Sequence, residues 1–414
     1  MPLNIDQQRI VDAATSTTKH IRIRGRAGTG KTHTFKSLIQ ELRRQGKRTL
    51  TVTPTGAAAC RITDETMSVF AQTIHRAMGF EAPVRIADRT YPGLSEFMYQ
   101  CAMSNRRTLA KIQNLDTLLI DECSMVGGQM FQTLDRIFRD ARGNMSPFGG
   151  VQVILCGDFL QLAPVEDHWL FENSVFKEMN PEMHTLTTIM RTSDPEYTDF
   201  QNYIRQRGVP VFGHTAARKA RVGNVTEIPD DALLLVHTNR EVDSRNRYMA
   251  QKLFPGVEMR TFPCVDQDGK RMDVQLCIGM KVMALANHPQ LAYANSDIGH
   301  ITGWDIDDTG DDVAIVQFEN GNEEPVRWKR QQWEDENGEM RSRSWYPLKP
   351  AYAATINKIQ GITADNIAVQ CWNTGSHGRL FVALTRCRKL DGLKIILPGS
   401  AAMAYDTSVS DSEF

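Results

Sequence analysis

Apolar and polar positions along this chain follow two periods. Ile21 and Ile23 alternate with Arg22 and Arg24, as on a strand whose side chains point to opposite faces. A glycine-rich stretch follows, and then Phe35, Leu38, Ile39 and Leu42 recur at the spacing of one helix face. The order predicts strand, loop, helix. Apolar runs at 49–52, 117–120 and 151–155 repeat the theme, each followed by a polar or glycine loop and a helical pattern. Such alternation predicts a parallel sheet with helices on both faces, here over residues 1–182. It resumes with buried-strand runs at 233–236, 367–370 and 393–397, so a second α/β unit is expected over 183–262 and 351–400.

Residues 263–350 have another texture, with short alternating runs such as Val313–Phe318 and turn signals at Asp268-Gly269, Asn320-Gly321 and Asn337-Gly338. They predict a small β-barrel inserted into the second unit. A smaller hairpin insertion is expected at about 80–95, centred on Pro83–Pro92. The acidic, serine-rich tail, 401–414, is expected to be disordered. The fold class is therefore α/β, with two parallel-sheet units, each carrying an insertion.

Composition adds limits. A chain of 414 residues suggests roughly two to four domains. Hydrophobic residues make up 41% and charged residues 23%, as in an ordinary globular protein. The formal net charge is −1, so any nucleic-acid contact must come from a local groove and not from global charge. The eight cysteines are scattered without a Cys-x-x-Cys pair, which argues against a zinc or iron–sulfur site and for free thiols in the cytosol. The first residues are polar, and no run of about 18 apolar residues occurs, so neither a signal peptide nor a membrane span is expected.

The chemistry concentrates between strand and helix. Gly25-Arg-Ala-Gly28-Thr29-Gly30-Lys31-Thr32 is a GxxxxGKT loop leading into the helical pattern. Glycines let backbone N–H groups turn inward around phosphates, and the helix N-terminus adds partial positive charge. Gly28, Thr29, Gly30, Lys31 and Thr32 are expected to bind a nucleoside triphosphate, with Lys31 on the β- and γ-phosphates and the Thr32 hydroxyl on Mg²⁺. Downstream, Leu118-Leu-Ile-Asp121-Glu122 is an apolar strand ending in two carboxylates. Neighbours at a strand end diverge, so Asp121 is expected to face the metal and Glu122 an attacking water. A third strand opens into Gly157-Asp158-Phe-Leu-Gln161, whose amide can report on the γ-phosphate. The alternative is a turn held by Asp158.

With those strings stand Ile5-Asp-Gln7-Gln, Thr53-Pro54-Thr55-Gly56, Gln72-Thr-Ile-His75, Met190-Arg191-Thr, His237-Thr238-Asn239, Gly279-Met-Lys-Val-Met283, Thr355-Ile-Asn357-Lys-Ile-Gln360-Gly and Val382-Ala-Leu-Thr-Arg386. Together they resemble superfamily 1 helicases of the Pif/RecD type, and within it the compact phage Dda branch, over residues 5 to about 395. The resemblance implies two RecA-like motor domains, a strand-separating wedge at Pro83–Pro92 and an SH3-like barrel at 263–350. It implies that Gln7 bonds the adenine edge and that Arg191 and Arg386 reach the γ-phosphate, beside Lys31, Glu122 and Gln161 as catalytic groups. Pro54, Thr55, His75, Thr238, Asn239, Thr355 and Asn357 fall where relatives contact single-stranded DNA. Asn357 departs from the family, which usually carries histidine there. Trp304, Trp328, Trp333 and Trp345 have two readings, stacking on bases or filling the barrel core.

The function implied is an ATP-dependent DNA helicase that translocates 5′ to 3′ on single-stranded DNA in replication, recombination or repair. Expected partners are single-stranded DNA and duplex junctions, with a single-strand-binding or recombination protein as a further candidate. No membrane partner is expected, the state is monomeric and the setting is a bacterial or phage-infected cytoplasm. Rival readings are a decayed helicase copy that only binds strands, the motor subunit of a nuclease complex, and an RNA helicase.

Overall fold

The computed structural model describes residues 2–396 except 27, 65, 81–90, 191, 207–210, 266–270, 289–291, 335–339, 360–361 and 372–377. The chain opens on α1 (Ile5–Ser16), capped reciprocally: the Asn4 side chain accepts from Gln7 N–H and the Gln7 side chain accepts from Asn4 N–H. Strand β1 (Ile21–Gly25) leads to α2 (Lys31–Arg44), which begins at Gly30 in the left-handed region and buries Phe35, Leu38, Ile39 and Leu42. Then come β2 (Thr49–Thr53), α3 (Gly56–Ile62), β3 (Ala71–Thr73), β4 (Thr117–Ile120), α4 (Gly128–Arg142), β5 (Gln152–Gly157) and β6 (Glu182–Leu186). These six strands form one parallel sheet in the order β3-β2-β4-β5-β1-β6. Its alternation buries both faces. Leu118, Ile120, Val153 and Leu155 join one core with Phe131, Phe138 and Phe148 of the α4 side. Leu119, Ile154 and Cys156 join another with Phe35, Leu38 and Ile39 of α2. Each such large apolar side chain contributes roughly 1.5–3 kcal/mol on burial.

The expected division after residue 182 needs correcting. β6 pairs with β1 in register from Ile21↔Glu182 to Gly25↔Leu186, so residues through Leu186 belong to the first sheet. The strand lies at the sheet edge and is largely exposed, so it lacks the apolar run that marks central strands.

Strands β7 (Arg221–Val222) and β8 (Leu233–Val236) begin a second parallel sheet, followed by α5 (Asn239–Leu253). The chain then leaves it for antiparallel pairing. β9 (Arg260–Phe262) pairs with β10 (Val274–Leu276). β11 (Lys281–Ala284), β12 (Ile298–Ile306), β13 (Asp312–Phe318), β14 (Glu323–Val326) and, later, β17 (Leu348–Pro350) form a sheet in the order β14-β13-β12-β11-β17. β15 (Lys329–Glu334) and β16 (Met340–Trp345) form a separate pair. This antiparallel region starts at Arg260, slightly before the expected 263. The Asn320-Gly321 signal lies in the β13–β14 turn, with Gly321 at φ 95°. The other two turn signals lie outside the described residues.

β18 (Ala353–Thr355) returns the chain to the second parallel sheet beside β8, followed by β19 (Ile367–Gln370), α6 (Arg379–Leu384) and β20 (Leu393–Ile396), in the order β18-β8-β19-β20-β7. Asn246 of α5 fixes this re-entry. Its Nδ2 donates to Pro350 O at 2.7 Å, and its Oδ1 accepts from the N–H groups of Tyr352 and Ala353, both at 2.9 Å.

The tryptophans resolve toward packing. Trp304, Trp328 and Trp345 pack against the antiparallel core, where Phe262 stacks on Tyr346 at 3.8 Å. Arg260 covers Trp304 and Arg343 covers Trp345. The Trp333 side chain lies outside the description. The proposed hairpin at Pro83–Pro92 also falls mostly outside it, but Tyr91 and Pro92 begin a helix, Tyr91–Ser104, and do not close a hairpin.

Candidate nucleotide and nucleic-acid sites

The phosphate loop joins β1 to α2 at the carboxyl edge of the first sheet. Gly28 and Gly30 sit at φ 84° and 78°, conformations that cost other residues strain. Lys31 Nζ donates to Gly25 O at 2.7 Å and Arg26 O at 3.0 Å, tying the start of α2 to the start of the loop. Thr29 Oγ1 donates to Arg26 O at 2.9 Å. Thr32 lies in the first turn of α2, half-buried.

Gln7 is fully buried beside this loop. A Cβ on Gly30 would stand 2.5 Å from Gln7 Nε2 and 3.3 Å from Met190 Sδ. The Gln7 carbonyl is taken by Asn4 N–H at 3.0 Å, and its amide faces Met190 Sδ at 3.6 Å. The structure thus puts Gln7 next to the phosphate loop but occupies it as a helix cap. The Asn4-x-x-Gln7 spacing is itself a legible capping signal. Met190 N–H donates to Gly28 O at 2.7 Å, tying the segment before Arg191 to the loop. Arg191 itself lies outside the described residues.

Asp121 and Glu122 follow β4. Asp121 is 5% exposed, and burial, reinforced by the Glu122 charge, pushes its carboxyl up to about 6. Glu122 takes the left-handed conformation, φ 51° and ψ 40°, unusual for a side chain of its size. That turn ends the strand direction at Glu122, directly after Asp121. After β5, Asp158 is gripped by Arg205 through two bonds, Nη1 to Oδ2 at 2.9 Å and Nη2 to Oδ1 at 3.2 Å. Gln161 is buried on the same turn, its N–H on Asp158 O at 3.0 Å. Arg386 follows α6 and is 2% exposed, with Nε on Val382 O at 2.9 Å and Nη2 on Thr385 Oγ1 at 3.2 Å. Its guanidinium is held by its own helix.

A groove runs across the carboxyl edges of both parallel sheets. One cavity of about 360 Å³ is lined by His237, Thr238, Asn239, Thr355, Asn357, Lys358 and Arg379. A second, about 250 Å³, shares Asn357 and Lys358 and adds Thr55, Gly56, Arg61, Glu122, Asn295 and Ser296. Two helices start at this groove. Thr55 caps α3 beside the first sheet and Thr238 caps α5 beside the second. The structure therefore brings together Thr55, Thr238, Asn239, Thr355 and Asn357. The Thr238 hydroxyl is spent on Glu241, donating at 2.8 Å and accepting from its N–H at 3.2 Å, so its contribution is the helix end. Pro54 precedes Thr55 just after β2. His75 is not grouped with Thr55 and Asn357. Its ring lies 5.2 Å from Phe80, and burial lowers its pKa.

Sequence reading missed Arg61, Lys358, Arg379, Asn295 and Ser296. Lys358 sits inside a string already read, so it was within reach. Asn295 and Ser296 come from the β11–β12 loop and carry no local signal.

Residues 2–202 match the model of the PIF1-like helicase family. The crystal structure of Pif1 helicase from Candida albicans superposes with a TM-score of 0.76 and 26% identity, covering 98% of this chain and 97% of that one. The chain is similar to the Pif1-like helicases, in sequence over its first half and in fold over nearly its whole length. The Pif1-type fold is matched again by Bacteroides Pif1 in complex with ADP-AlF3 and ssDNA, with a TM-score of 0.72, 25% identity and coverage of 98% and 94%. Among curated relatives, the ATP-dependent DNA helicase PIF1 of Xenopus laevis is 27% identical over 412 residues, 95% of this chain. The chain spans 61% of that relative's length. Among the described residues, no helix is long and apolar enough to cross a membrane.

Proposed function

We propose that this chain is an ATP-driven DNA helicase that moves along single-stranded DNA and opens duplex at junctions. The observation that carries the reading is the shared groove wall. Glu122, beside the buried Asp121, lines the same cavity as Thr55, Asn357 and Lys358. A strand in that groove touches the loop that follows β4, so strand occupancy and hydrolysis share one element. The first parallel sheet, through Leu186, acts as one motor unit and the second as its partner. The antiparallel region from Arg260 to Pro350 is their insertion.

In this reading ATP binds the phosphate loop, with Lys31 released from Gly25 O and Arg26 O to meet the β- and γ-phosphates. Thr32 and Asp121 would hold Mg²⁺, which would supply positive charge to offset that of the phosphates. The fit rests on the donor set, with Asp121 a buried carboxyl that burial and the neighbouring Glu122 charge hold above its ordinary range against the opposing charge of Lys31. Glu122 takes the proton of the attacking water, Gln161 orients it, and Arg191 and Arg386 neutralise the charge that develops on the γ-phosphate. Similar Pif1 helicases, one bound to ssDNA and others unwinding forked dsDNA, support the choice of DNA. The polarity proposed is 5′ to 3′.

The deciding measurement is ATP turnover with and without oligothymidine or oligouridine of equal length, followed by unwinding of forks tailed only at the 5′ or the 3′ end. DNA-stimulated turnover and opening of the 5′-tailed fork are expected. Equal turnover with and without strand would overturn the motor reading. Equal stimulation by RNA would overturn the choice of DNA.

A further inference from the structure

The Arg205–Asp158 ion pair belongs neither to the phosphate loop nor to the strand groove. Arg205 stands just beyond the helix Pro195–Tyr203, and Asp158 follows β5 of the first sheet. Their side chains are 5% and 3% exposed. Burial alone would push the Asp158 carboxyl up, but the guanidinium outweighs it and holds the group down to about 2. A buried pair of this kind contributes little net stability compared with a well-packed apolar pair. Its geometry has another use.

Each end is fastened to a group needed for hydrolysis. Asp158 Oδ1 also accepts from Leu160 N–H at 3.2 Å, and the Asp158 carbonyl accepts from Gln161 N–H, so the carboxylate shapes the turn that carries Gln161. The next residue, Leu162, is buried in the second unit's core with Tyr197, Phe200 and Phe381. On the other side, the Arg205 guanidinium lies 5.2 Å from the Phe381 ring of α6, the helix that leads to Arg386. Tyr197, on the helix before Arg205, donates its hydroxyl to Leu384 O at 2.7 Å. Arg205 also lines a cavity of about 260 Å³ with Arg24, Gly25 and Arg26. Arg26 of the phosphate loop is hydrogen-bonded to Asn202, three residues before Arg205.

The geometry points to Arg205 as a positioning residue of the hydrolysis step: its fork locks the Gln161 turn to α6, so that Gln161 and Arg386 approach the nucleotide as one unit. The inference rests on the functional reading above. A lysine cannot reproduce the two-pronged grip, because its ammonium is a point charge on a flexible stem.

The test uses the full chain and the variants Arg205→Gln, Arg205→Lys, Asp158→Asn and the Arg205→Gln/Asp158→Asn double. Turnover at saturating oligothymidine, ATP KM, strand affinity and thermal unfolding are measured. Arg205→Gln and Asp158→Asn are expected to lower kcat by about 30-fold, with KM and strand affinity within about threefold. The double should be no slower than the worse single, because both remove one clamp. Arg205→Lys should fall between. Turnover of Arg205→Gln within about twofold of wild type, losses that multiply in the double, or a loss confined to KM would overturn the inference. If Arg205→Gln is unfolded at the assay temperature, Arg205→Lys and the double, which leave no uncompensated carboxylate, carry the test, and wild-type turnover in either overturns it. A wild-type chain without strand-stimulated turnover would overturn the functional reading itself, and is seen before any variant is made.

Discussion

Gly378 lies with its backbone against the Gln161 carbonyl, so closely that a Cβ there would stand 2.0 Å from the oxygen. Gly378 caps α6 of the second sheet at φ 73°, and Gln161 ends the turn after β5 of the first. The contact joins the two units at the groups proposed to act on the γ-phosphate. Gly378→Ala therefore meets two penalties, the left-handed backbone and a clash with main chain. Gly46 has φ 78° and nothing within 4 Å, so Gly46→Ala isolates the first. Gly46→Ala is expected to cost about 1–2 kcal/mol, and Gly378→Ala about 1–3 kcal/mol more. Urea unfolding of the two variants checks this, and equal losses would show that the Gln161 contact is soft.

Glu122→Gln should bind ATP with affinity near wild type and hydrolyse it at least about 100-fold more slowly, because the amide keeps the shape but accepts no proton. Filter binding and single-turnover hydrolysis separate the two effects. A variant that fails to bind ATP would make Glu122 a structural group of its left-handed turn.

The groove cavities present three cations, Arg61, Lys358 and Arg379, among neutral donors and helix ends. With these three alone or up to two more along the path, log affinity for oligothymidine against log salt should have a slope of about −2 to −3.5, since each phosphate neutralised on a single strand contributes about −0.7. Lys358→Ala should flatten the slope by about 0.7, whereas Asn357→Ala should weaken binding without changing it. Fluorescence anisotropy at several salt concentrations reads both. A slope steeper than about −6 would reveal a basic surface outside this groove.

Asp297 lies where α3, the β11–β12 loop and the segment before β19 meet, in a cavity with Arg61, Glu319 and Arg388. Burial raises its pKa, against the Ala294 N–H and Arg61, which lower it. A raised carboxyl binds its proton more tightly in the folded chain, so it contributes stability as pH falls through its folded pKa toward the ordinary carboxylate range. Asp297→Asn removes that term and keeps an acceptor for Ala294 N–H. The variant should be relatively more stable at pH 7, and the advantage should shrink on acidification to pH about 5. Melting temperatures of the two chains across that range check the sign, and a constant difference would remove Asp297 from the pH response.

Sequence by itself determined the central strands, the phosphate loop and the acidic strand end. Strands buried on both faces carry uninterrupted apolar runs, and a loop that cradles phosphate needs glycine at fixed offsets. Both demands are local, so both are legible in a string. The tertiary structure decided which strings meet. β6 is an exposed edge strand and belongs to the first sheet only through its register with β1. Thr55 and Asn357 share a groove because parallel strands deliver their following loops to the same edge of each sheet. Asn295 and Ser296 enter that groove from an antiparallel excursion whose direction no residue near them encodes. The tryptophans fit two readings as letters, and the packing of Phe262 and Tyr346 chose the core. The grip of Arg205 on Asp158 spans 47 residues and two sheets. Neither residue is distinctive alone, because a charge pair becomes specific only where the fold removes the water between its members.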